Sequence, residues 1–227
     1  MSEPTSATVK AFWQFMCSHY KTQVIEKSNS VAMQAVATFL NSLGIVDHNA
    51  FLTSYATTLA HDIYLPFCPG DAAAAANGWT LQEQIIVCAH EHEHVVESDT
   101  LGLVTYDFRY VTDTASRARY EAEAYRSALE LSWWNSKTLP NIPRLAGLLS
   151  GYGVSPTDIA MAETILAAAA ETVEQGGFLN PASAVAIGWL NTHATYLRAP
   201  GLSPAFLTPR CQCATCAAGK EYNGTAA

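Results

Sequence analysis

Short stretches rich in β-branched and aromatic residues predict that the strands of this chain lie early in the sequence. Residues 22–26 form one such stretch, and residues 51–67 form a longer one with a turn at His61 and Asp62. These residue types favour strands because their side chains pack well on a pleated surface. We therefore expect one strand over 22–26 and two within 51–67, the second of them covering 63–67.

Apolar residues also recur at helical spacing behind residues that can cap a helix. Ser30 precedes an apolar series that predicts a helix over 31–44. Thr80 and Glu83 form a capping box, in which a hydroxyl and a carboxylate accept hydrogen bonds from free amides of the first turn. This box predicts a helix over 81–97.

The second half of the chain is predicted to be helical. A loop is expected over 98–116, and three more helices follow it, over 117–134, 156–176 and 181–198. Early strands followed by helices indicate an α+β fold. Residues 1–198 are expected to form a single domain, and residues 199–227, rich in Pro and Cys, a C-terminal tail.

The composition supports a globular protein and argues against two kinds of partner. Of the 227 residues, 49% are hydrophobic and 14% are charged, which provides enough apolar surface for a core. The net charge of −8 argues against a nucleic-acid surface, and no apolar run is long enough to cross a membrane. Since no secretory signal is recognisable at the N-terminus, we expect a cytoplasmic protein.

Residues 90–94 read His-Glu-His-Glu-His and contain the pattern H-E-x-x-H as His90, Glu91 and His94. On a helix, positions four apart share a face, so both imidazoles can bind one zinc ion. Zinc lowers the pKa of a bound water toward about 7, and a neighbouring carboxylate can then take its proton. We therefore expect His90 and His94 to be zinc ligands and Glu91 to be the catalytic base.

The same five residues would form a different site on a strand, where His90, His92 and His94 would share one face. The capping box and the length of the pattern over 81–97 favour the helix. On that helix His92 points away from the other two histidines. We expect it to lie at the surface or behind a ligand rather than to bind the metal.

A catalytic zinc ion needs a third protein ligand, which must come from another element. The predicted helix over 117–134 offers two candidates, Glu121 and Glu123. The H-E-x-x-H pattern followed by this helix resembles the gluzincin metallopeptidases, especially the compact groups related to ImmA/IrrE and Ste24/HtpX.

In those groups the third ligand is the first Glu of an E-x-x-A-[DN] stretch on the next helix. The matching residue here is Glu121, with Ala124 at the small position, and Glu123 remains the alternative. Tyr125 stands where the pattern has Asp or Asn, so the family's partner for a ligand histidine is replaced in this chain.

The resemblance covers about residues 20–135 and implies a zincin-like fold. In such a fold a small mixed sheet and the metal helix come first, and a mainly helical half follows. It also implies hydrolysis of a peptide bond in a polypeptide substrate, held as an extra strand along a sheet edge formed by 63–67. The tract over 63–97 also resembles small phage-encoded proteins of this type, which would allow a place in a virion with a protein assembly partner.

Two other functions fit the same residues. A catalytically silent zinc site could belong to a structural or binding component, for example of a phage particle. A different zinc-dependent hydrolase could act on a non-peptide amide. The intact Glu91 favours an enzyme because a structural site has no use for a base.

Further residues could add to such a site. An oxyanion that forms in a transition state needs a hydrogen-bond donor beside the metal. The candidates for that donor are Tyr106, Tyr110, Tyr125 and His193. The three cysteines Cys211, Cys213 and Cys216 could hold a second, structural zinc ion or belong to a reduced tail.

Overall fold

The structure, a computed structural model, describes residues 2–42, 47–177 and 180–202. Its strands are β1 (Gln23–Glu26), β2 (Thr57–Leu59) and β3 (Asp62–Leu65). Its helices are α1 (Ser6–Tyr20), α2 (Val31–Ser42), α3 (His48–Ser54), α4 (Leu81–Leu101), α5 (Leu103–Thr112), α6 (Thr114–Ser136), α7 (Ile142–Gly147), α8 (Pro156–Glu174) and α9 (Pro181–His193). The described residues are mostly helical with one small sheet, which confirms the α+β prediction at this coarse level.

The three strands form one mixed sheet in the order β1-β3-β2, with β1 parallel and β2 antiparallel to β3. The prediction that 63–67 forms a sheet edge is wrong, because β3 is the central strand and β2 is an edge. Ile63 and Leu65 are fully buried, as expected for a central strand. Pro66 follows the end of β3, where its missing N–H interrupts no ladder hydrogen bond.

Two stretches that were expected to be extended or irregular are helical. Residues 51–54 were expected to begin a strand but belong to α3, where Asp47 caps the helix by accepting a hydrogen bond from the Ala50 amide at 2.9 Å. The expected loop over 98–116 contains the end of α4, all of α5 and the start of α6. α5 begins directly after Gly102, whose φ of 82° is accessible to glycine and lets the chain turn between two helices.

α1 was not predicted, and it packs the N-terminal part of the chain against α4. Its buried face carries Val9, Phe12, Trp13 and Met16 at helical spacing. The indole N–H of Trp13 donates to the Gln84 carbonyl at 2.9 Å, which ties α1 to α4. α2 follows Ser30 as predicted, but the predicted end of that helix at residue 44 lies outside the described residues.

α4 lies at the centre of the described structure and contacts α1, α5, α6, α9 and β2. Thr80 Oγ1 accepts a hydrogen bond from the Glu83 amide at 3.1 Å, as the capping box predicts, and the helix continues to Leu101. Every residue from 88 to 95 is buried. The predicted helix is confirmed, and the strand alternative for 90–94 is wrong.

The starts of the last two long helices agree with the prediction. Ser155 and Asn180 each accept, through the side chain, a hydrogen bond from the amide three residues later. α9 ends at His193, earlier than expected, and the chain still contributes Leu202 to the core. Residues 203–227, with the three tail cysteines, lie outside the described residues.

The core is divided between two main apolar clusters. One cluster joins α1, β3, α4 and α9 with the C-terminal part of α6, and the other joins α6, α7 and α8. α6 therefore contributes to both clusters, and it packs directly against α4. Within the described ranges, no helix has the length and apolar character needed to cross a membrane.

Candidate metal centre

The packing of α4 against α6 brings three potential metal ligands to one point. His90 and His94 lie one turn apart on α4, and Glu121 comes from α6. The two imidazole Nε2 atoms are 3.2 Å apart. Glu121 Oε2 lies 3.4 Å from His90 Nε2, and Glu121 Oε1 lies 3.7 Å from His94 Nε2. The structure thus gathers the three residues that the sequence suggested as ligands.

These separations, two of which go to different oxygens of Glu121, are close to those around a tetrahedral cation. Metal–ligand bonds of about 2.0–2.1 Å at tetrahedral angles place neighbouring ligand atoms roughly 3.3 Å apart. Glu121 Oε2 is buried and accepts no well-formed hydrogen bond from the described residues, so it has lone pairs available at this point. Two imidazoles and one carboxylate suit zinc, and the same donor set also binds ferrous iron in some enzymes.

The charge distribution of the centre also favours a cation. Burial alone would lower the pKa of His94, but the carboxylates of Glu121, Glu97 and Glu91 raise it to about 9. Burial alone would raise the pKa of Glu121, and the two histidines hold it below its usual value. Several carboxylates therefore share one buried region, where a divalent cation would be strongly attracted.

Glu91, the candidate base, is held by the sheet. Its Oε2 atom accepts a hydrogen bond from Thr58 Oγ1 at 2.7 Å, and the same hydroxyl lies 3.3 Å from the Glu91 carbonyl oxygen. Thr58 is the middle residue of the edge strand β2. The Glu91 side chain is almost completely buried, so this hydrogen bond restricts its orientation.

The hydroxyl groups of two tyrosines of α5 contact two of the candidate ligands. Tyr106 Oη lies 2.9 Å from His94 Nδ1, and Tyr110 Oη donates to Glu121 Oε1 at 2.5 Å. A contact at Nδ1 leaves Nε2 of His94 free to face the metal position. α5 therefore acts as a support for the site, although its residues had been expected to form a loop.

The carboxylate of Glu97 lies near Nδ1 of His94. Its Oε2 atom lies 3.6 Å from His94 Nδ1, and burial raises the pKa of Glu97. A carboxylate near the second ring nitrogen of a ligand histidine is a common arrangement in metal sites, because it orients the ring. Glu97 and Tyr106 therefore both lie beside Nδ1 of His94, where they would orient the ring if His94 bound a metal.

Tyr125 occupies the position where that pattern has Asp or Asn, and it contacts the other histidine. Its ring centroid lies 4.8 Å from that of His90, in an edge-on arrangement. Burial raises the pKa of Tyr125. The ring of Tyr125 therefore packs against His90 in a buried position.

His92 lies on the opposite side of α4, as predicted, but it is not at the surface. Its side chain is fully buried, with Nδ1 2.6 Å from the Cys88 carbonyl and Nε2 3.0 Å from Thr22 Oγ1. Its ring packs against Trp13 and Tyr20. His92 is therefore a core histidine with both ring nitrogens satisfied, and burial lowers its pKa to about 4.

Glu123 and His193, two other candidates, lie elsewhere. Glu123 forms an ion pair with Arg126 on the same helix, while Glu121 faces α4. His193 stacks on Trp189 near the end of α9 and is exposed. The structure therefore places neither residue in the ligand cluster.

Two contacts of the site were not expected from the sequence: Thr58 donates to Glu91, and Glu97 lies beside His94. Tyr106 and Tyr110 were expected near the metal as candidate oxyanion donors. The structure shows them in contact with the candidate ligands His94 and Glu121, and the oxyanion role stays a prediction. Tyr106 and Tyr110 are four residues apart, the spacing of one helix face, and Glu97 follows His94 by one turn. These spacings could have suggested their roles, whereas nothing in the local sequence of Thr58 points to Glu91.

Comparisons with family models, with curated proteins and with solved structures found no match for this chain.

Proposed function

We propose that this chain is a zinc metallopeptidase of the gluzincin type. The observation that supports this most is the convergence of His90, His94 and Glu121 at distances that fit one tetrahedral ion. Glu91 follows His90 directly on α4, so the proposed base comes from the same helix as two ligands. The helix lies against a small mixed sheet, which is consistent with a zincin-like arrangement.

In the proposed mechanism each residue has a separate task. A zinc ion held by His90, His94 and Glu121 would supply Lewis acidity and lower the pKa of water. Glu91 would accept a proton from the water whose oxygen bonds to the peptide carbonyl carbon, and would return that proton to the amine nitrogen as the C–N bond breaks. Thr58 keeps the Glu91 carboxylate in position, and Tyr106 keeps the His94 ring in position.

The edge strand β2 is the proposed binding site for an extended polypeptide. β2 pairs with β3 on one side, and the described residues provide no strand on its other side. A peptide could therefore add to this edge through backbone hydrogen bonds. Because Thr58 of β2 contacts Glu91, a peptide bound there would lie near the proposed base.

A structural metal site is the second candidate, and the burial of the ligands favours it. His90 is 7% exposed, His94 is 6% exposed and Glu121 is 1% exposed. A structural site needs no access for a substrate, whereas a catalytic site must keep one coordination position open. In this alternative the chain would be a binding or assembly component that uses zinc only for stability.

The first test is metal content. Elemental mass spectrometry of the purified protein should find about one zinc per chain, with large losses in His94→Ala and Glu121→Gln. Glu123→Gln and His193→Ala are matched controls, since both residues lie outside the cluster, and they should keep the metal. A wild-type protein that neither contains nor takes up a divalent metal would rule out both candidates.

The second test separates an enzyme from a structural site. Hydrolysis of a generic peptide library should be measured for the zinc-loaded wild type and for Glu91→Gln. We expect the variant to keep its zinc and to lose at least about 100-fold in kcat, the usual scale for a general base. A metal-loaded wild type without activity on peptides would favour the structural candidate.

A further inference from the structure

Lys27 is a fully buried lysine that contacts the segment leading into the edge strand β2. It begins a short 3-10 turn directly after β1, and its side chain has no exposed surface. Its Nζ atom donates to the Tyr55 carbonyl at 2.9 Å and to Thr57 Oγ1 at 2.7 Å. The same ammonium group lies 3.6 Å from the centroid of the Phe51 ring.

Through one amine, these contacts connect the turn that begins at Lys27 to two other elements, α3 and β2. Phe51 lies within α3, Tyr55 is the C-terminal cap of that helix, and Thr57 is the first residue of β2. A cation is favourable at the C-terminal end of a helix, where carbonyl groups lack partners. An apolar side chain of the same size could fill the space, but it would leave the Tyr55 carbonyl without this donor.

The next residue of β2, Thr58, connects the strand to the proposed active site. Because successive residues of a strand point to opposite faces, Thr57 points toward Lys27 and Thr58 points toward α4. Thr58 then donates its hydroxyl to Glu91 Oε2 at 2.7 Å. A shift of β2 by a fraction of this distance would break the hydrogen bond that orients the carboxylate.

Lys27 and Glu91 are also close enough to interact electrostatically. Burial lowers the pKa of Lys27 to about 7, and the charge of Glu91 acts in the opposite direction. The hydrogen bonds of Thr57 and Thr58 place the buried amine and the proposed base on either side of the same short strand.

We infer that Lys27 is a positioning residue, which holds β2 so that Thr58 can orient the Glu91 carboxylate. The inference rests on the proposed function for its catalytic consequence, but the structural link can be tested without catalysis. The substitution Lys27→Met keeps the length of the side chain and removes both hydrogen bonds. Thr58→Val removes the direct contact to Glu91.

The kinetic test compares these two variants and their combination. We expect each single variant to lower kcat about 10- to 100-fold, since small misplacements of a catalytic group have effects of this size. Zinc affinity should stay within about twofold of the wild type, because no metal ligand is changed. The double variant should be no worse than the more impaired single variant, since both act through one contact.

A second pair of variants applies if Lys27→Met does not fold. Thr57→Val removes one acceptor of the Lys27 amine, whereas Thr57→Ser keeps the hydroxyl. We expect Thr57→Val to lower kcat and Thr57→Ser to restore it to near the wild-type value. Lys10→Met, at an exposed lysine of α1, is the control for loss of a positive charge.

A spectroscopic measurement keeps the inference separate from the proposed function. In metal-free protein with 13C-labelled Glu side chains, the Glu91 carboxyl signal can be assigned by its absence in Glu91→Gln. Lys27→Met, or Thr57→Val in its place, should move this signal in the same direction as Thr58→Val, even in a protein without peptidase activity. An unchanged Glu91 signal, or effects of Lys27→Met and Thr58→Val on kcat that simply multiply, would overturn the positioning role.

Discussion

The three histidines of residues 90–94 show how strongly one position on a helix determines the role of a side chain. His90 and His94 face α6 and meet Glu121, whereas His92 faces α1 and is satisfied by Thr22 and a backbone carbonyl. All three are buried, so burial by itself does not distinguish a candidate ligand from a core residue. The partner of each ring nitrogen makes that distinction.

The hydroxyl groups of Tyr106 and Tyr110 should strengthen metal binding, because each one holds a ligand in place. We predict that Tyr106→Phe and Tyr110→Phe each weaken zinc affinity about 10-fold, at the lower end of the usual effect of such partners. Competition with a chromophoric chelator would measure the affinity. Tyr196→Phe, at a half-exposed tyrosine hydrogen-bonded to Thr8, is the control and should bind zinc as the wild type does. Equal affinities in all four proteins would contradict a supporting role for α5.

At the scale of elements, α5 is the largest departure from the sequence prediction. It carries Tyr106 toward the site, while the opposite face exposes Val104, Phe108 and Val111. The apolar side chains of α5 are therefore on its exposed face. This explains why α5 was not predicted, because an amphipathic helix is usually recognised by apolar residues on its buried face. The side of α5 that faces the site carries Tyr106 and Tyr110, whose hydroxyls contact the candidate ligands His94 and Glu121.

The turn between α4 and α5 depends on the backbone conformation of Gly102. Its φ of 82° is rare for residues with a side chain, although a Cβ would meet no atom within 4 Å. We predict that Gly102→Ala lowers the free energy of unfolding by about 1–3 kcal/mol through backbone strain alone. Gly188→Ala is the matched control, because this glycine lies within α9, also has open space, and has no unfavourable φ. That control should gain about 0.5–1 kcal/mol.

Chemical denaturation of the two glycine variants would measure both effects. Gly102→Ala should be less stable than the wild type, and Gly188→Ala should be more stable. If Gly102→Ala were as stable as Gly188→Ala, the sharp turn between α4 and α5 would not be present in solution.

For the molecule as a whole, the candidate site lies where α4 packs against α6. α4 belongs to the apolar cluster with α1 and α9, and α6 contributes to that cluster and to the one with α7 and α8. A metal bound by His90, His94 and Glu121 would join α4 to α6 directly. Binding of an ion to the folded state alone stabilises it by mass action.

Zinc should therefore raise the melting temperature. At a free concentration about 100 times the dissociation constant, the gain is roughly 2.7 kcal/mol, which corresponds to about 5–10 °C for a chain of this size. Differential scanning calorimetry with zinc and with chelator would measure the shift. Glu123→Gln should show the full shift, and His94→Ala should show almost none. A similar shift in His94→Ala would indicate that zinc binds elsewhere.

Much of the fold and part of the site could be predicted from local patterns. Thr80 and Glu83 located the start of α4, and the spacing of His90 and His94 placed both on one face of it. Such features depend on interactions within one or two turns, so they can be read from neighbouring residues. The resemblance to gluzincins suggested Glu121 before Glu123, and the structure brings Glu121 to the two histidines. Their binding of zinc stays a prediction.

The contacts between distant elements could not be predicted from the sequence. The central place of β3, the support from α5, the burial of His92 and the hydrogen bond from Thr58 to Glu91 all arise from packing. Thr58 and Glu91 are 33 residues apart, and no local preference of either residue indicates the other. Local sequence patterns were enough to identify the helix that offers a candidate ligand pair and a candidate base. The packing of α6, α5 and the sheet around that helix decided which further side chains surround them, because such contacts depend on how whole elements fit together.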